Sequence, residues 1–180
     1  MPITIIEADV SHAANIATIG KKSFRMAFGH LFECRDELFE YLEHTYNPVK
    51  LSRSLRKGNN VYYLAVIDGQ PIGFAKVKIH SLNEYITSIA QMELQKIYVL
   101  QEYQHLGVGS ALLSEVKRLA KEISPDFLWL DTHINNEKAI RFYEKNGFEK
   151  IGKYHFTIGT QTFQYHVMGW RVAMDIRKAC

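Results

Sequence analysis

The spacing of hydrophobic and polar residues changes near residue 60 of this 180-residue chain. Before that point, apolar residues such as Ile16, Ile19, Phe24 and Phe28 recur at the spacing of a helix with one buried face. Beyond it lie short β-branched and aromatic runs, which are typical of strands. The pattern therefore predicts a short strand over residues 3–7, a helical segment after it, and a sheet-forming remainder.

Local signals mark where individual elements begin and end. Asn47 followed by Pro48 is typical of a helix N-cap and its first helical position. Asp68-Gly69 between two apolar runs predicts a β-hairpin. The predicted strands cover residues 3–7, 61–67, 72–77, 92–99, 127–131, 148–156 and 163–168, and the later predicted helices cover 36–46, 48–57, 107–122 and 137–145.

This order of elements predicts a mixed α/β (α+β) fold, with helices packed on a central sheet. At 20.8 kDa the chain is long enough to bury roughly 70% of its unfolded surface. No repeat, low-complexity tract or linker interrupts the sequence, so we expect a single domain over residues 1–180.

Composition excludes several classes of protein. A formal net charge of +3 with scattered basic residues does not indicate nucleic-acid binding. We see neither a signal peptide nor a run of about 18 apolar residues, so we expect a cytoplasmic protein without membrane partners. Cys34 and Cys180 lack zinc-site spacing, as do the histidines, and we expect two reduced thiols and no metal.

A glycine-bearing turn between a strand and a helix carries the clearest chemistry. Its pattern, Q-x-x-G-x-G, comprises Gln104, Gly107 and Gly109. Glycines let backbone N–H groups approach an anion, and the first helical turn adds unpaired donors and a positive dipole end. Such a turn can hold a pyrophosphate. It is not a Rossmann fingerprint, because Leu112 replaces the third glycine, and no Gly-Lys-Ser/Thr of a P-loop follows.

A second motif follows some 30 residues later: N-x-x-A-x-x-F-Y-x-x-x-G-F, from Asn136 to Phe148. Alone, the first turn favours an ordinary strand–turn–helix with convenient glycines over an anion-binding site. The two motifs in this order and separation resemble the GNAT N-acetyltransferase superfamily over roughly residues 60–170. Looser features, including Phe24-x-x-x-Phe28 and Glu93-x-x-x-Ile97-Tyr98, resemble the PaiA-type polyamine acetyltransferases.

The resemblance implies a mostly antiparallel central sheet, a β-α-β-α cofactor-binding core, helices on both faces, and acetyl-CoA as co-substrate. It implies that Tyr143 donates a proton to the leaving thiolate. Near Met168, where many members have an acidic residue, this chain has Tyr165 and His166. The implied cofactor-binding residues are Ile97, Tyr98 and Val99 for the acetyl group and pantetheine arm, Gln104, His105, Leu106, Gly107, Val108, Gly109 and Ser110 for the pyrophosphate, Asn136 for the pantetheine, and Lys145.

Amide formation from a thioester needs a neutral amine. An amine with a pKa near 10.4 is neutral in about one molecule in 2,500 at pH 7, a cost of roughly 4.6 kcal/mol. Glu93, on the strand entering the glycine turn, is the candidate proton acceptor, either directly or through water. The competing interpretation of Glu93 is a solvated strand-edge residue. For His105 and His133 we favour structural roles.

Five carboxylates cluster on and just before the second helix: Glu33, Asp36, Glu37, Glu40 and Glu43. They form either a solvated polar face or an acidic wall that attracts a polycation such as spermidine. The alternatives for function are a polyamine acetyltransferase, a protein N-terminal or lysine acetyltransferase, and a regulatory module that binds acetyl-CoA without turnover. A homodimer is a further open expectation.

Overall fold

The computed structural model describes residues 2–172, which form a seven-stranded sheet with helices on both faces. The strands are β1 (Thr4–Glu7), β2 (Asn60–Ile67), β3 (Gln70–Ile79), β4 (Gln91–Val99), β5 (Phe127–His133), β6 (Glu149–Ile158) and β7 (Gln161–Arg171). The helices are α1 (Ala13–Phe28), α2 (Arg35–Thr45), α3 (Pro48–Leu55), α4 (Val108–Ile123) and α5 (Glu137–Lys145). A 3₁₀ turn at Gln101–Leu106 joins β4 to α4.

The sheet has the strand order β1-β2-β3-β4-β5-β7-β6. Every neighbouring pair is antiparallel except β4 and β5, which confirms the mostly antiparallel sheet. β4 and β5 pair only at one end, and the last paired residues are Glu93 and Trp129. Beyond that pair the two strands diverge, so the middle of the sheet is split by a cleft.

Alternation along the strands sends side chains to two separate hydrophobic cores. On β2, Tyr62 and Leu64 pack with α1, α2 and α3, whereas Tyr63 and Ala65 pack with α4 and α5. The side chains that α4 and α5 bury against the sheet include Val108, Leu112, Val116, Ile140 and Tyr143. The predicted mixed α/β architecture with helices on both faces is therefore confirmed.

Several predicted boundaries rest on local contacts that the structure shows. Asn47 caps α3, because its side-chain oxygen accepts the Val49 backbone N–H at 3.0 Å. Asp68 and Gly69 have φ values of 49° and 77°, the left-handed conformation that a two-residue hairpin turn requires. β5 continues to His133, two residues past its predicted end. The 3₁₀ turn before α4 was not predicted.

Two expectations from composition can be compared with the described residues. None of the helices within residues 2–172 has the length and hydropathy needed to cross a membrane. Cys34 is an exposed free thiol, whereas Cys180 lies outside the described residues.

Candidate active site

A cavity of about 620 Å³ lies where β4 and β5 diverge. Residues from α1, α2, α3 and α5 and from six of the seven strands line it, so only the folded topology assembles it. The tyrosines around it are Tyr41, Tyr46, Tyr62, Tyr98, Tyr143, Tyr154 and Tyr165. A concave site with aromatic walls and a few polar groups is the usual form of a small-molecule site.

A β-bulge shapes the wall that β4 contributes to the cavity. Val77 pairs with Leu94, but the preceding β3 residue Lys76 pairs with Lys96, so Gln95 is the extra residue. Side chains three positions apart in a regular strand face opposite sides of the sheet. The bulge instead lets Glu93 and Lys96 both line the cavity.

Glu93 is buried, with only 7% of the residue exposed. Its carboxylate accepts a hydrogen bond from the Ser81 hydroxyl at 2.7 Å. The Ser81 carbonyl in turn accepts the indole N–H of Trp129 at 2.8 Å, which fixes Ser81 to the neighbouring strand. Glu93 is therefore a positioned carboxylate and not the solvated strand-edge residue of the competing interpretation.

Tyr143 reaches the same cavity from the opposite face of the sheet. It projects from α5, belongs to the hydrophobic core beneath α4 and α5, and is only 6% exposed. Burial, with a smaller contribution from the Asp131 carboxylate, raises the pKa of Tyr143 well above its usual range. A phenol is protonated at neutral pH in any case, and the raised pKa keeps Tyr143 protonated in more alkaline solution, so it can donate a hydrogen bond into the cavity.

Asp131 is a cavity carboxylate that sequence reasoning missed. It lies on β5 two residues beyond the last pair with β4, and accepts a hydrogen bond from the Tyr154 hydroxyl at 2.6 Å. Burial raises the pKa of Asp131, while the bond from Tyr154 opposes that rise. The available signal was an aspartate ending the apolar run Phe-Leu-Trp-Leu-Asp.

The cavity also contains basic side chains. Lys76 and Lys96 are register partners on β3 and β4, and their ammonium groups lie 5.5 Å from the ring centres of Tyr62 and Tyr46. Burial, followed by repulsion from Lys96, lowers the pKa of Lys76 to about 8. Burial also lowers the pKa of Lys96, although Asp131 and Glu93 oppose that effect.

The predicted cofactor side is built mainly from backbone groups. β4 pairs with β3 through Val99 but with β5 only through Glu93. Within residues 2–172, the β5-facing backbone edge of Ile97, Tyr98 and Val99 therefore has no strand partner. An extended chain such as pantetheine can pair with that edge as a strand would. The Gln104 side chain donates to the Val99 carbonyl at 3.2 Å and thereby closes the turn that follows.

The N-terminus of α4 supplies the predicted anion-binding groups. The first α-helical hydrogen bond runs from the Ala111 N–H to the Gly107 carbonyl at 3.0 Å, so the amides of Val108, Gly109 and Ser110 precede it. Gly107 has a φ of 79°, which explains the glycine there. Gly109 leaves space beside the helix, since an added Cβ would meet only Phe142, at 3.9 Å.

Of the other residues that the sequence analysis singled out, some line the cavity and others are exposed on the surface. His105 and Leu106 have exposed side chains, so only their backbone shapes the turn. Asn136 lines the cavity and caps α5, its side chain accepting the Ala139 N–H at 3.2 Å. Lys145 is exposed at the other end of α5, away from the cavity. His133 lines the cavity, and burial lowers its pKa.

The five carboxylates of the acidic cluster do not line the cavity. Glu37 accepts hydrogen bonds from the Thr160 backbone N–H at 3.0 Å and from the Thr160 hydroxyl at 2.9 Å. Glu43 forms an ion pair with Lys21 at 2.7 Å. These contacts fit the solvated face, and the acidic wall is not formed at this cavity.

Comparison with known proteins identifies the family. A family model described as "Acetyltransferase (GNAT) family" matches residues 27–148, which include β4, the glycine turn, α4, β5 and α5. The chain belongs to the GNAT acetyltransferase family. The resemblance inferred from the paired motifs is thereby confirmed, and with it an enzyme that transfers acetyl groups.

Individual relatives of this GNAT chain are distant. An uncharacterised N-acetyltransferase of Lactobacillus delbrueckii is 24% identical, covering 87% of this chain and 90% of the relative. A spermidine N(1)-acetyltransferase of Thermoplasma acidophilum is 24% identical, with 83% and 89% covered. An N-alpha-acetyltransferase of Sulfurisphaera tokodaii is 28% identical, with 54% and 61% covered.

A solved structure with the same fold includes coenzyme A. The crystal structure of the PaiA N-acetyltransferase from T. acidophilum in complex with coenzyme A superposes with a TM-score of 0.77 at 21% identity. The match covers 95% of this chain and 99% of that one. This GNAT chain therefore has the fold of that protein.

Proposed function

We propose that this GNAT protein transfers the acetyl group of acetyl-CoA to a primary amine, within a single domain over residues 1–180. The observation that supports this most directly is the convergence of Glu93, Asp131 and Tyr143 in one cavity, beside the unpaired edge of β4. Carboxylates suit the removal of protons from an ammonium group, and a protonated phenol suits a leaving thiolate.

The cofactor would enter from the side of α4 and α5. The amides of Val108, Gly109 and Ser110 point their dipoles at a pyrophosphate, as helix N-termini generally do. The open edge of β4 would pair with the pantetheine arm, which leads the thioester toward Tyr143. These groups are backbone amides and carbonyls, so they bind the invariant part of the donor.

The acceptor would enter from the side of α1, α2 and α3, where Glu93 and Asp131 face the cavity. The bound ammonium loses one proton, and its nitrogen forms a bond to the acetyl carbon as the carbon–sulfur bond breaks. The nitrogen then loses a second proton. Tyr143 donates a hydrogen bond or its proton to the departing sulfur, and the products are an amide, a free thiol and one proton released to solvent.

The acceptor class we propose first is a polyamine such as spermidine. The buried Glu93, the half-buried Asp131 and a wall of tyrosines can bind ammonium groups through ion pairing and cation–π contacts. A relative named as a spermidine acetyltransferase supports this choice. A protein or peptide N-terminus is the second candidate, because a relative is named as an N-alpha-acetyltransferase.

A panel of amines tests the proposal. Free thiol released from acetyl-CoA would be measured with spermidine, spermine, a simple monoamine, and peptides with free N-termini. We expect turnover with spermidine well above the rate without amine. Preference for peptides would favour the second candidate. Acetyl-CoA binding without thiol release for any amine would overturn the enzymatic proposal in favour of a regulatory module.

A further inference from the structure

Lys96 brings an amine into the cavity beside the position proposed for the acetyl group. It directly precedes Ile97 on β4, where the edge that faces β5 is proposed to hold the pantetheine arm and the acetyl group. Lys96 and Tyr98 are two positions apart on this strand, so their side chains lie on the same face, and both line the cavity. A lysine amine sits on a flexible four-carbon stem and can turn toward a group bound at the neighbouring residue.

Lys96 is partly buried and has few polar contacts. Its ammonium group lies 5.5 Å from the centre of the Tyr46 ring. Within residues 2–172, that ammonium group forms neither an ion pair nor a hydrogen bond with another residue. An ammonium group withdrawn from water without such a partner is destabilised relative to the neutral amine, the form that can attack a thioester.

The carboxylates proposed to serve an external amine also act on Lys96. The bulge at Gln95 puts Glu93 and Lys96 on the same side of β4, and Asp131 lines the cavity from β5. Burial lowers the pKa of Lys96, and the charges of Asp131 and Glu93 oppose that effect. The protein thus holds an amine of its own in the cavity where amines are proposed to be acetylated.

We propose that Lys96 is a self-acetylation site, to which the protein transfers one acetyl group when no external amine occupies the cavity. This inference rests on the proposed acetyl transfer to an amine. The Lys96 ammonium loses one proton, its nitrogen bonds to the acetyl carbon as the carbon–sulfur bond breaks, and the nitrogen then loses a second proton. The sulfur takes up one proton and the other goes to solvent, so the products are an amide at Lys96 and free coenzyme A.

The position of Lys96 distinguishes it from the other lysine of β3 and β4 that lines the cavity near it. Lys76 is the register partner of Lys96 on β3, one strand farther from the edge of β4 that faces β5. The ammonium group of Lys76 lies 5.5 Å from the ring centre of Tyr62 on β2, so its side chain leans away from that edge. We therefore expect Lys76 to stay unmodified.

Incubation with acetyl-CoA in the absence of an amine tests the proposal. Mass spectrometry of the intact wild-type protein should show a gain of one acetyl group per chain, and peptide mapping should locate that group at Lys96. The rate per chain should not depend on protein concentration, because donor and acceptor are held within one chain. Spermidine should slow the modification, since it would compete for the same carboxylates.

Three variants sharpen this experiment. Lys96→Arg keeps the positive charge and removes the amine, so this variant should gain no acetyl group. Lys78→Arg is the matched control, because Lys78 lies on β3 outside the cavity, and it should be modified like wild type. Tyr143→Phe should slow the modification of Lys96 by about 10²-fold or more, whereas spontaneous acetylation of exposed lysines should not change.

Acetyl groups on Lys76 or on exposed lysines, with Lys96 unmodified, would overturn the proposal. An unmodified wild-type protein that nevertheless acetylates spermidine would also overturn it, and would leave the proposed function intact. A wild-type protein that neither modifies itself nor acetylates any amine would instead refute the proposed function. Peptide mapping of wild type keeps the test available if Lys96→Arg does not fold.

Discussion

The cleft between β4 and β5 has two sides, and different chemical groups form each of them. The side beneath α4 and α5 offers the β4 edge and the first amides of α4, which are backbone groups from one continuous stretch of chain. The side beneath α1, α2 and α3 offers carboxylates, ammonium groups and tyrosines from many separate elements.

This difference separates binding of the donor, which depends on backbone groups, from recognition of the amine, which depends on particular side chains. Backbone amides bind a pyrophosphate whatever side chains surround them, so the donor side depends on the path of the chain and on a few glycines. The acceptor side depends on which side chains the topology brings together. Variants of the glycine turn and the start of α4 should therefore change cofactor affinity, and variants on the acceptor side should change rate and amine preference. Tyr143 is the exception on the donor side, because its side chain enters the shared cavity and should affect the rate.

The largest effect on rate is expected for Tyr143→Phe, which removes one hydroxyl and keeps the ring. We expect kcat to fall by about 10²–10⁴-fold with little change in stability. Tyr63→Phe is the control, since Tyr63 is buried in the same core but does not line the cavity. If kcat falls less than about threefold while acetyl transfer is rate-limiting, Tyr143 has no role in the chemistry.

The pKa of Tyr143 adds a pH criterion to that experiment. Because the pKa of Tyr143 is raised, its phenol keeps its proton as the pH increases through 10. The hydroxyl stops being a proton donor only at a more alkaline pH. Wild-type kcat should accordingly show no alkaline decline between pH 8 and about 10 attributable to Tyr143. A decline in that range which disappears in Tyr143→Phe would contradict the burial described for this side chain.

Gly109→Asp should break the donor side alone. A carboxylate beside the pyrophosphate is a like-charge contact costing several kcal/mol, so Kd for acetyl-CoA should rise by about 100-fold or more. Gly109→Ala is the control, because its Cβ has room beside Phe142. Titration calorimetry on the folded variants measures Kd for acetyl-CoA. Equal affinity of Gly109→Asp and Gly109→Ala for acetyl-CoA would show that the pyrophosphate binds elsewhere.

Lys76→Met sharpens the description of the acceptor side. Removing this buried ammonium should increase kcat/KM for spermidine by about threefold to tenfold at pH 7, and for a monoamine by less, because repulsion grows with the charge of the acceptor. The advantage should fade above pH 8, where wild-type Lys76 loses its proton. Lys78→Met, on the same strand but outside the cavity, should change neither value. A loss of spermidine activity in Lys76→Met would mean that Lys76 helps to bind the acceptor.

The smallest effect is expected from the acidic face of α2. The double variant Asp36→Asn, Glu40→Gln should change kcat/KM for spermidine by less than about twofold at low salt, since exposed charges outside the cavity are screened. Glu37 is left intact because it bonds to Thr160. A rise in KM together with a flatter salt dependence would restore the acidic wall that the sequence permits.

Sequence reasoning reached the donor side because its signals are local. The predicted helix over 137–145 coincides with α5, since Asn136 caps its start and Gly147 follows its end with a φ of 82°. The glycine turn and the strand before it form one contiguous motif. Both predicted catalytic residues, Glu93 and Tyr143, do line one cavity.

The acceptor side was harder to predict because it depends on pairing between distant strands. The residue types at positions 94–96 do not predict a β-bulge. The bulge is visible only in the register between β4 and β3. Asp131 lines the cavity because it lies just beyond the point where β4 and β5 separate, and the sequence does not show where that point is. The carboxylates of α2 were easy to notice in the sequence, yet Tyr41 of α2 and Tyr46, which follows the helix, line the cavity instead.

The most direct test measures free thiol and acetylated amine in the same reaction, with acetyl-CoA and spermidine, for wild type and for Asp131→Asn, Glu93→Gln. Wild type should give one thiol for each acetylated amine. The double variant should give neither product while still binding acetyl-CoA, because the donor side is untouched. Thiol release without acetylated amine, or loss of acetyl-CoA binding in the double variant, would contradict an acetyltransferase with separate donor and acceptor sides.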